Sequence, residues 1–220
     1  MVYKGSAMIV LIGGEKGGTG KSTLTINMAV CRALEKKEVL IVDADQQGTT
    51  NLWSSLRNEK SVMPQIPCIQ KQGKQLHKDI ISLSDKYETI IIDAGGRDSV
   101  ELRSAMLVAD KFVTPIRASQ TDAWTLDNME SLITQAMIIN EELKSFIMIN
   151  QGPTNPAITE VEDINSLLKQ FPSFSIIKTI VRDRISFRHA IKEGLGVKEL
   201  KLVDKKAVNE ITELYKEIFK

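Results

Sequence analysis

Short apolar runs alternate along the chain with longer segments in which apolar residues recur every three or four positions. The runs at 8–12, 39–42, 89–92, 112–115, 146–149 and 176–180 are brief and rich in β-branched residues, the mark of strands buried on both faces. Helical spacing covers 21–35, 73–85, 99–108, 125–140, 158–170, 185–192 and 204–219. The alternation predicts an α/β fold, a mostly parallel, twisted sheet with helices on both faces. No Ser/Gly linker, repeat or charge block divides residues 1–220, which reads as a single domain with residues 1–7 as a leader before the first strand.

With 220 residues, 42% hydrophobic and 26% charged, the chain can bury a full core, and its composition excludes disordered and fibrous classes. The apolar stretch 7–12 spans only six residues, short of the roughly 7–15-residue core of a secretory signal, so a cytosolic protein is expected. Cys31 and Cys68 have neither CxxC nor metal-ligand spacing. The formal net charge of +1 means that any affinity for a polyanion must come from a local patch.

The most informative stretch follows the first strand: Gly13-Gly14-Glu15-Lys16-Gly17-Gly18-Thr19-Gly20-Lys21-Ser22-Thr23. Glycines at 17, 18 and 20 let successive backbone N–H groups turn toward one anion, and the helix starting at Lys21 adds the positive end of its dipole. Triphosphate is the natural occupant, which makes the fold a P-loop NTPase. Lys21 can reach the β- and γ-phosphates as a compact charge, and the Ser22 hydroxyl can ligate Mg²⁺. A dinucleotide fingerprint is excluded, because the position three after Gly20 is Thr23. A strict Walker A motif would carry glycine where Glu15 stands. Lys16, at the loop entrance, cannot aim inward without crowding the cradle, and so points outward.

Lys16 to Ser22 resembles the deviant Walker A motif of the ParA/MinD ATPases, in which the first position often is not glycine. The resemblance implies that residues 15–23 (Glu15, Lys16, Gly17, Gly18, Thr19, Gly20, Lys21, Ser22, Thr23) bind ATP. It also implies that Lys16 crosses a dimer interface to the phosphates of the other subunit's ATP. Asp43-Ala44-Asp45-Gln46-Gln47-Gly48, after the second strand, is similar to the family's first switch motif. There Asp45 would position the attacking water and Asp43 would support the Mg²⁺ shell, while Gln46 stands where the family commonly has proline. The apolar run 89–92 closes on Asp93, the Walker B pattern, in which the carboxylate holds Mg²⁺ through a water. The glycines at 95 and 96 would let the next loop move with the γ-phosphate; Arg97 is left unassigned. Asn150, at the end of the fifth run, matches an adenine-contact position of the family.

Residues 178–206 hold nine basic side chains against four acidic ones, the footprint of phosphate-backbone binding. Within this segment, residues 180–194 are similar to the C-terminal region of ParA proteins, where arginines contact nonspecific DNA. Arg184 is the positional match, and Arg182, Arg188 and Lys192 follow by charge. The resemblance implies an ATP-dependent homodimer that coats nonspecific DNA on the nucleoid. A centromere-binding adaptor of the ParB or ribbon-helix-helix type would release it by stimulating an otherwise slow ATPase, which positions plasmid, chromosome or other cargo. The alternatives are a MinD-like division-site ATPase, whose apolar stripe at Val208, Ile211, Leu214, Tyr215, Ile218 and Phe219 would meet a membrane rather than pack on the sheet, and a small-molecule ligase using the same loop. The acids Glu210, Glu213 and Glu217 speak against a membrane. Trp53 and Trp124 read as packing residues.

Overall fold

The computed structural model describes residues 6–96, 98–117, 126–155 and 168–220. Its strands are β1 (Met8–Ile12), β2 (Val39–Asp43), β3 (Cys68–Gln70), β4 (Thr89–Asp93), β5 (Lys111–Ile116), β6 (Lys144–Gly152), β7 (Ser175–Ile176) and β8 (Val181–Arg182). They form one sheet in the order β3-β2-β4-β1-β5-β6-β7, with β8 also paired to β6. Every pairing is parallel. Among the described residues the α-helices are α1 (Lys21–Leu34), α2 (Thr49–Glu59), α3 (Leu76–Leu83), α4 (Val100–Met106), α5 (Leu126–Ile139), α6 (Ile185–Lys192) and α7 (Lys205–Phe219).

Strand alternation divides the core into two layers. Ile9 and Leu11 of β1 and Ile90 and Ile92 of β4 face Leu102, Leu126, Met129 and Ile133 from α4 and α5. Val10, Ile12 and Ile91 face the opposite side, under Leu24 and Met28 of α1, Trp53 of α2, and Ile211, Leu214 and Ile218 of α7. Each such side chain contributes about 1.5–3 kcal/mol by leaving water. The stripe on α7 is therefore committed to the sheet and unavailable to a bilayer. No helix among the described residues is long and apolar enough to cross a membrane.

Four differences from the sequence expectation have physical causes. β2 and β4 each run one residue further, ending on Asp43 and Asp93. The run 176–180 splits into β7 and β8 because the N–H groups of Lys178 and Thr179 donate to the Glu217 carboxylate of α7, at 2.8 and 2.9 Å, and leave the ladder. α2 and the short β3 were not expected. Thr50, Trp53, Ser54 and Arg57, at helical spacing, form the buried stripe of α2, so a polar set does what apolar residues usually do. Ala7, expected in a leader, is core: it is buried and its N–H donates to Ser84 at 3.1 Å. Most of the expected helix 158–170 lies outside the described residues, as do Arg97 and Trp124.

Candidate functional site

In a parallel sheet, ligands gather beyond the carboxyl ends of the strands. Here β1 ends between β4 and β5, and residues 13–20 lead from it into α1. Asp43 and Asp93 stand directly opposite each other in the β2/β4 register, and Asp93 also opposes Ile12 of β1. Both carboxylates are thus delivered to the mouth of the loop. A cavity of about 730 Å³ opens there, bordered by Lys16, Gly18, Lys21, Ser22, Asp45 and Gln151 among others, a size suited to a nucleotide.

Backbone contacts hold three segments together. Gly20 sits at φ 85°, and a Cβ there would lie 2.3 Å from Asn150 Nδ2, so only glycine fits. A Cβ on Gly96 would come within 2.9 Å of the Gly17 nitrogen, and one on Gly95 within 3.1 Å of the Asp45 carboxylate carbon. The loop after β4 is therefore in contact with both the phosphate loop and the segment after β2. Asp45 Oδ1 accepts from the Gln47 N–H at 3.0 Å, leaving its other oxygen for chemistry.

Lys21 is almost fully buried, and its Nζ donates to the Lys16 carbonyl at 2.6 Å. Burial lowers its pKa, while Asp93 and Asp45 pull it back up. Asp93 is fully buried, and neither of its oxygens has a hydrogen-bond partner among the described residues. Burial raises its pKa to about 7; Asp43 and Asp45 add to the rise, and the nearby Ser22 hydroxyl and Lys21 oppose it. An orphaned buried carboxylate beside a serine hydroxyl is a hard-oxygen donor set that fits Mg²⁺. Ser22 and Asp93 would hold the ion, supported by Asp43. Asp43 also has a second task. Its Oδ1 accepts from Asp45 N–H at 3.1 Å and its Oδ2 from Asn51 N–H at 2.9 Å, so it fixes the start of α2.

A raised carboxyl pKa makes folding favour the protonated form, so this contribution to stability is present at acid pH and is lost as pH rises toward about 7. Asp93→Asn keeps a neutral side chain at all pH. Without nucleotide or metal, the variant is expected to melt above the parent protein by a margin that grows between pH 4.5 and pH 8. Thermal unfolding followed by circular dichroism measures it, and a margin independent of pH contradicts the assigned burial.

Several expected positions move. Asn150 is not in the cavity: it is 3% exposed and its Nδ2 donates to the Thr19 carbonyl at 2.7 Å. It braces the loop from below, which corrects the adenine-contact expectation. Its neighbour Gln151, at φ 54°, borders the cavity instead. Thr19 presents its backbone to the loop while its own side chain is buried. Lys16 borders the cavity and is half-buried. Arg117 was missed: its Nη2 donates to the Gly18 carbonyl at 2.6 Å and its Nε to Gln151 Oε1 at 2.8 Å. Its place one residue beyond β5 was the available signal, since β5 flanks β1.

The basic segment is also rearranged. Arg184, expected to lead DNA contact, is held by Glu210 at 2.6 Å with only 15% of its side chain exposed. Arg182 is half-buried and donates to the Pro153 carbonyl. The Arg184 charge is met by a carboxylate and the Arg182 guanidinium is turned onto a backbone carbonyl, both acceptors distant in sequence. Arg188 and Lys192, one turn apart on α6, remain exposed together with Lys198, Lys201, Lys205 and Lys206. Arg188 is paired only with the equally exposed Asp183, a bond that water and salt weaken.

The model of the CobQ/CobB/MinD/ParA nucleotide-binding domain family matches residues 10–197. Maintenance of carboxysome distribution protein A of Halothiobacillus neapolitanus is 24% identical over 213 residues, covering 96% of each chain. Among solved structures, a Cyanothece McdA variant in complex with ATP superposes with a TM-score of 0.78 at 15% identity, covering 97% of this chain and 96% of that one. The septum site-determining protein MinD of Pyrococcus horikoshii, complexed with Mg-ADP, gives a TM-score of 0.73 at 18% identity, covering 97% and 96%.

Proposed function

The chain belongs to the CobQ/CobB/MinD/ParA nucleotide-binding family, and from that premise we propose that it is a ParA-type positioning ATPase that pairs on ATP and grips nonspecific DNA. ATP binds with Mg²⁺ at the loop of residues 15–23. Ser22 and Asp93 would hold the ion, which when bound would supply neutralisation of the phosphate charge. Lys21 meets the phosphate oxygens from the loop, and the backbone of residues 17–20 wraps them. Asp45, with one oxygen free and its carboxylate against Gly95, accepts a hydrogen bond from the attacking water and orients it toward the γ-phosphorus. Lys16, at the rim, reaches the phosphates of a second copy and converts repulsion between two bound polyanions into a bond.

Pairing sets two basic faces side by side, and Arg188, Lys192 and their lysine neighbours meet phosphate backbones without reading sequence. Two weak faces bind as one strong one, so nucleotide state controls DNA affinity through avidity. The stimulating partner is a cargo-bound adaptor protein, of the ParB or ribbon-helix-helix type for a DNA cargo. The carboxysome relative supports a protein assembly as a second class of cargo. The observation that carries this reading is the meeting of Asp45 with the loop after β4, which lets one phosphate govern both segments.

Asp45→Ala is expected to retain ATP, lose hydrolysis by about 10²-fold or more, and accumulate as dimer. Light scattering with Mg-ATP reads the mass. A monomer with ATP bound would remove Asp45 from its role and uncouple pairing from fuel. The membrane alternative is disfavoured by the buried stripe of α7.

A further inference from the structure

Beneath the phosphate loop lies a second, much smaller cavity, about 10 Å³, bounded among others by Glu15, Lys16 and Thr19 of the loop, Thr114 of β5, and Leu126 and Met129 of α5. None of the β5 or α5 residues borders the nucleotide cavity. Three of the residues that border it carry a buried side-chain oxygen with no partner among the described residues: Glu15 Oε2, Thr19 Oγ1 and Thr114 Oγ1. Thr19 and Thr114 are 3% and 2% exposed. The other Glu15 oxygen accepts from Asn128 Nδ2 of α5 at 3.2 Å, which fixes the carboxylate and leaves Oε2 without a partner among the described residues.

We propose that this cavity is a built-in site for one water molecule, which ties both ends of the phosphate loop to β5. A buried polar oxygen left unpaired costs about 5- to 150-fold in the folding constant, and three on one cavity are not sustained without a shared partner. The volume is that of about one water, and such waters make about three hydrogen bonds. The counts match. The Thr19 and Thr114 hydroxyls donate to the water, and the water donates to Glu15 Oε2. A hard divalent cation is disfavoured, since it takes about six or more oxygen ligands, three unpartnered side-chain oxygens are available among the described residues, and the Lys16 cation borders the same cavity. The site also accounts for glutamate at position 15, where a strict Walker A loop carries glycine: glycine has no atom to reach the cavity. The water's role is to hold the loop in its phosphate-ready shape before nucleotide arrives.

Two measurements on the full chain test this. A high-resolution crystal structure should show one density peak at hydrogen-bonding distance, about 2.6–3.2 Å, from all three oxygens. Urea unfolding of Thr114→Val, which keeps shape and deletes the hydroxyl, should show a loss of about fivefold in the folding constant, the worth of one net hydrogen bond, while Thr114→Ser stays near the parent protein. A Thr114→Val protein as stable as the parent or more so would mean that the hydroxyl was unpaired, and would overturn the site. So would a cavity without density, which decides the matter alone should the valine variant not fold. Repeating the unfolding in potassium, sodium and ammonium chloride at equal ionic strength should give equal stabilities. A cation preference that Thr114→Val abolishes would overturn water in favour of a monovalent ion.

Discussion

Lys21→Met is expected to lower kcat/KM for ATP by about 10²–10³-fold, the usual loss on removing one preorganised charge from a reacting oxyanion. Methionine matches the length of the lysine stem and fills the same buried channel, so the fold should survive and far-UV circular dichroism should be unchanged. What disappears is an ammonium already desolvated and aimed by the Lys16 carbonyl at 2.6 Å. Its loss has a second effect. Lys21 is one of the groups that restrain the raised pKa of Asp93, so the variant should protonate Asp93 more readily and need more Mg²⁺ at neutral pH. Lys21→Arg should not rescue, because a planar fork cannot replace a point charge in a closed loop. Phosphate release against ATP at two magnesium concentrations measures both effects; activity within a few-fold of the parent protein would contradict the assigned contact.

Arg57→Ala is expected to cost about 3–5 kcal/mol of stability, the penalty for breaking a buried ion pair. The Arg57 side chain is completely buried and pairs with Glu199 at 2.8 Å. Its guanidinium also donates to the Pro64 and Gly194 carbonyls at 2.8 and 2.9 Å, and lies 5.3 Å over the Trp53 ring. Gly194 sits at φ 71° within contact of the Arg57 backbone. The end of α2 is thereby bolted to the end of α6, the helix that carries Arg188 and Lys192. Removing both charges, as in Arg57→Met with Glu199→Gln, should recover part of the loss, because no unpaired carboxylate is then left in the interior. Urea unfolding of the single and double variants tests this, and additive effects would contradict the pairing.

The glycine-rich loop and the two strand-end aspartates were legible because their chemistry is local. Loop, helix start and phosphate charge lie within eleven residues, and a β-rich run closed by aspartate is visible without knowing its neighbours. α2 was illegible for the opposite reason: Thr50, Ser54 and Arg57 are buried by partners as distant as Glu199, so its inward face reads as polar surface. The same blindness misplaced Arg184, a charge counted toward a patch although Glu210 consumes it. Asn150 was found at the right strand end and given the wrong duty, since a hydrogen bond to Thr19 across 131 positions cannot be read from either residue alone. Arg117 escaped because its segment carries no motif.

The most direct test of the account is the affinity of the full chain for a fluorescent random-sequence DNA duplex, measured by anisotropy at fixed salt with Mg-ATP, with Mg-ADP and without nucleotide. Binding should appear with ATP alone, weaken steeply as salt rises, and vanish both in Arg188→Glu/Lys192→Glu and in Lys16→Gln, which still takes up nucleotide as a monomer. Equal affinity in the three nucleotide states, or binding that survives charge reversal on α6, would contradict it.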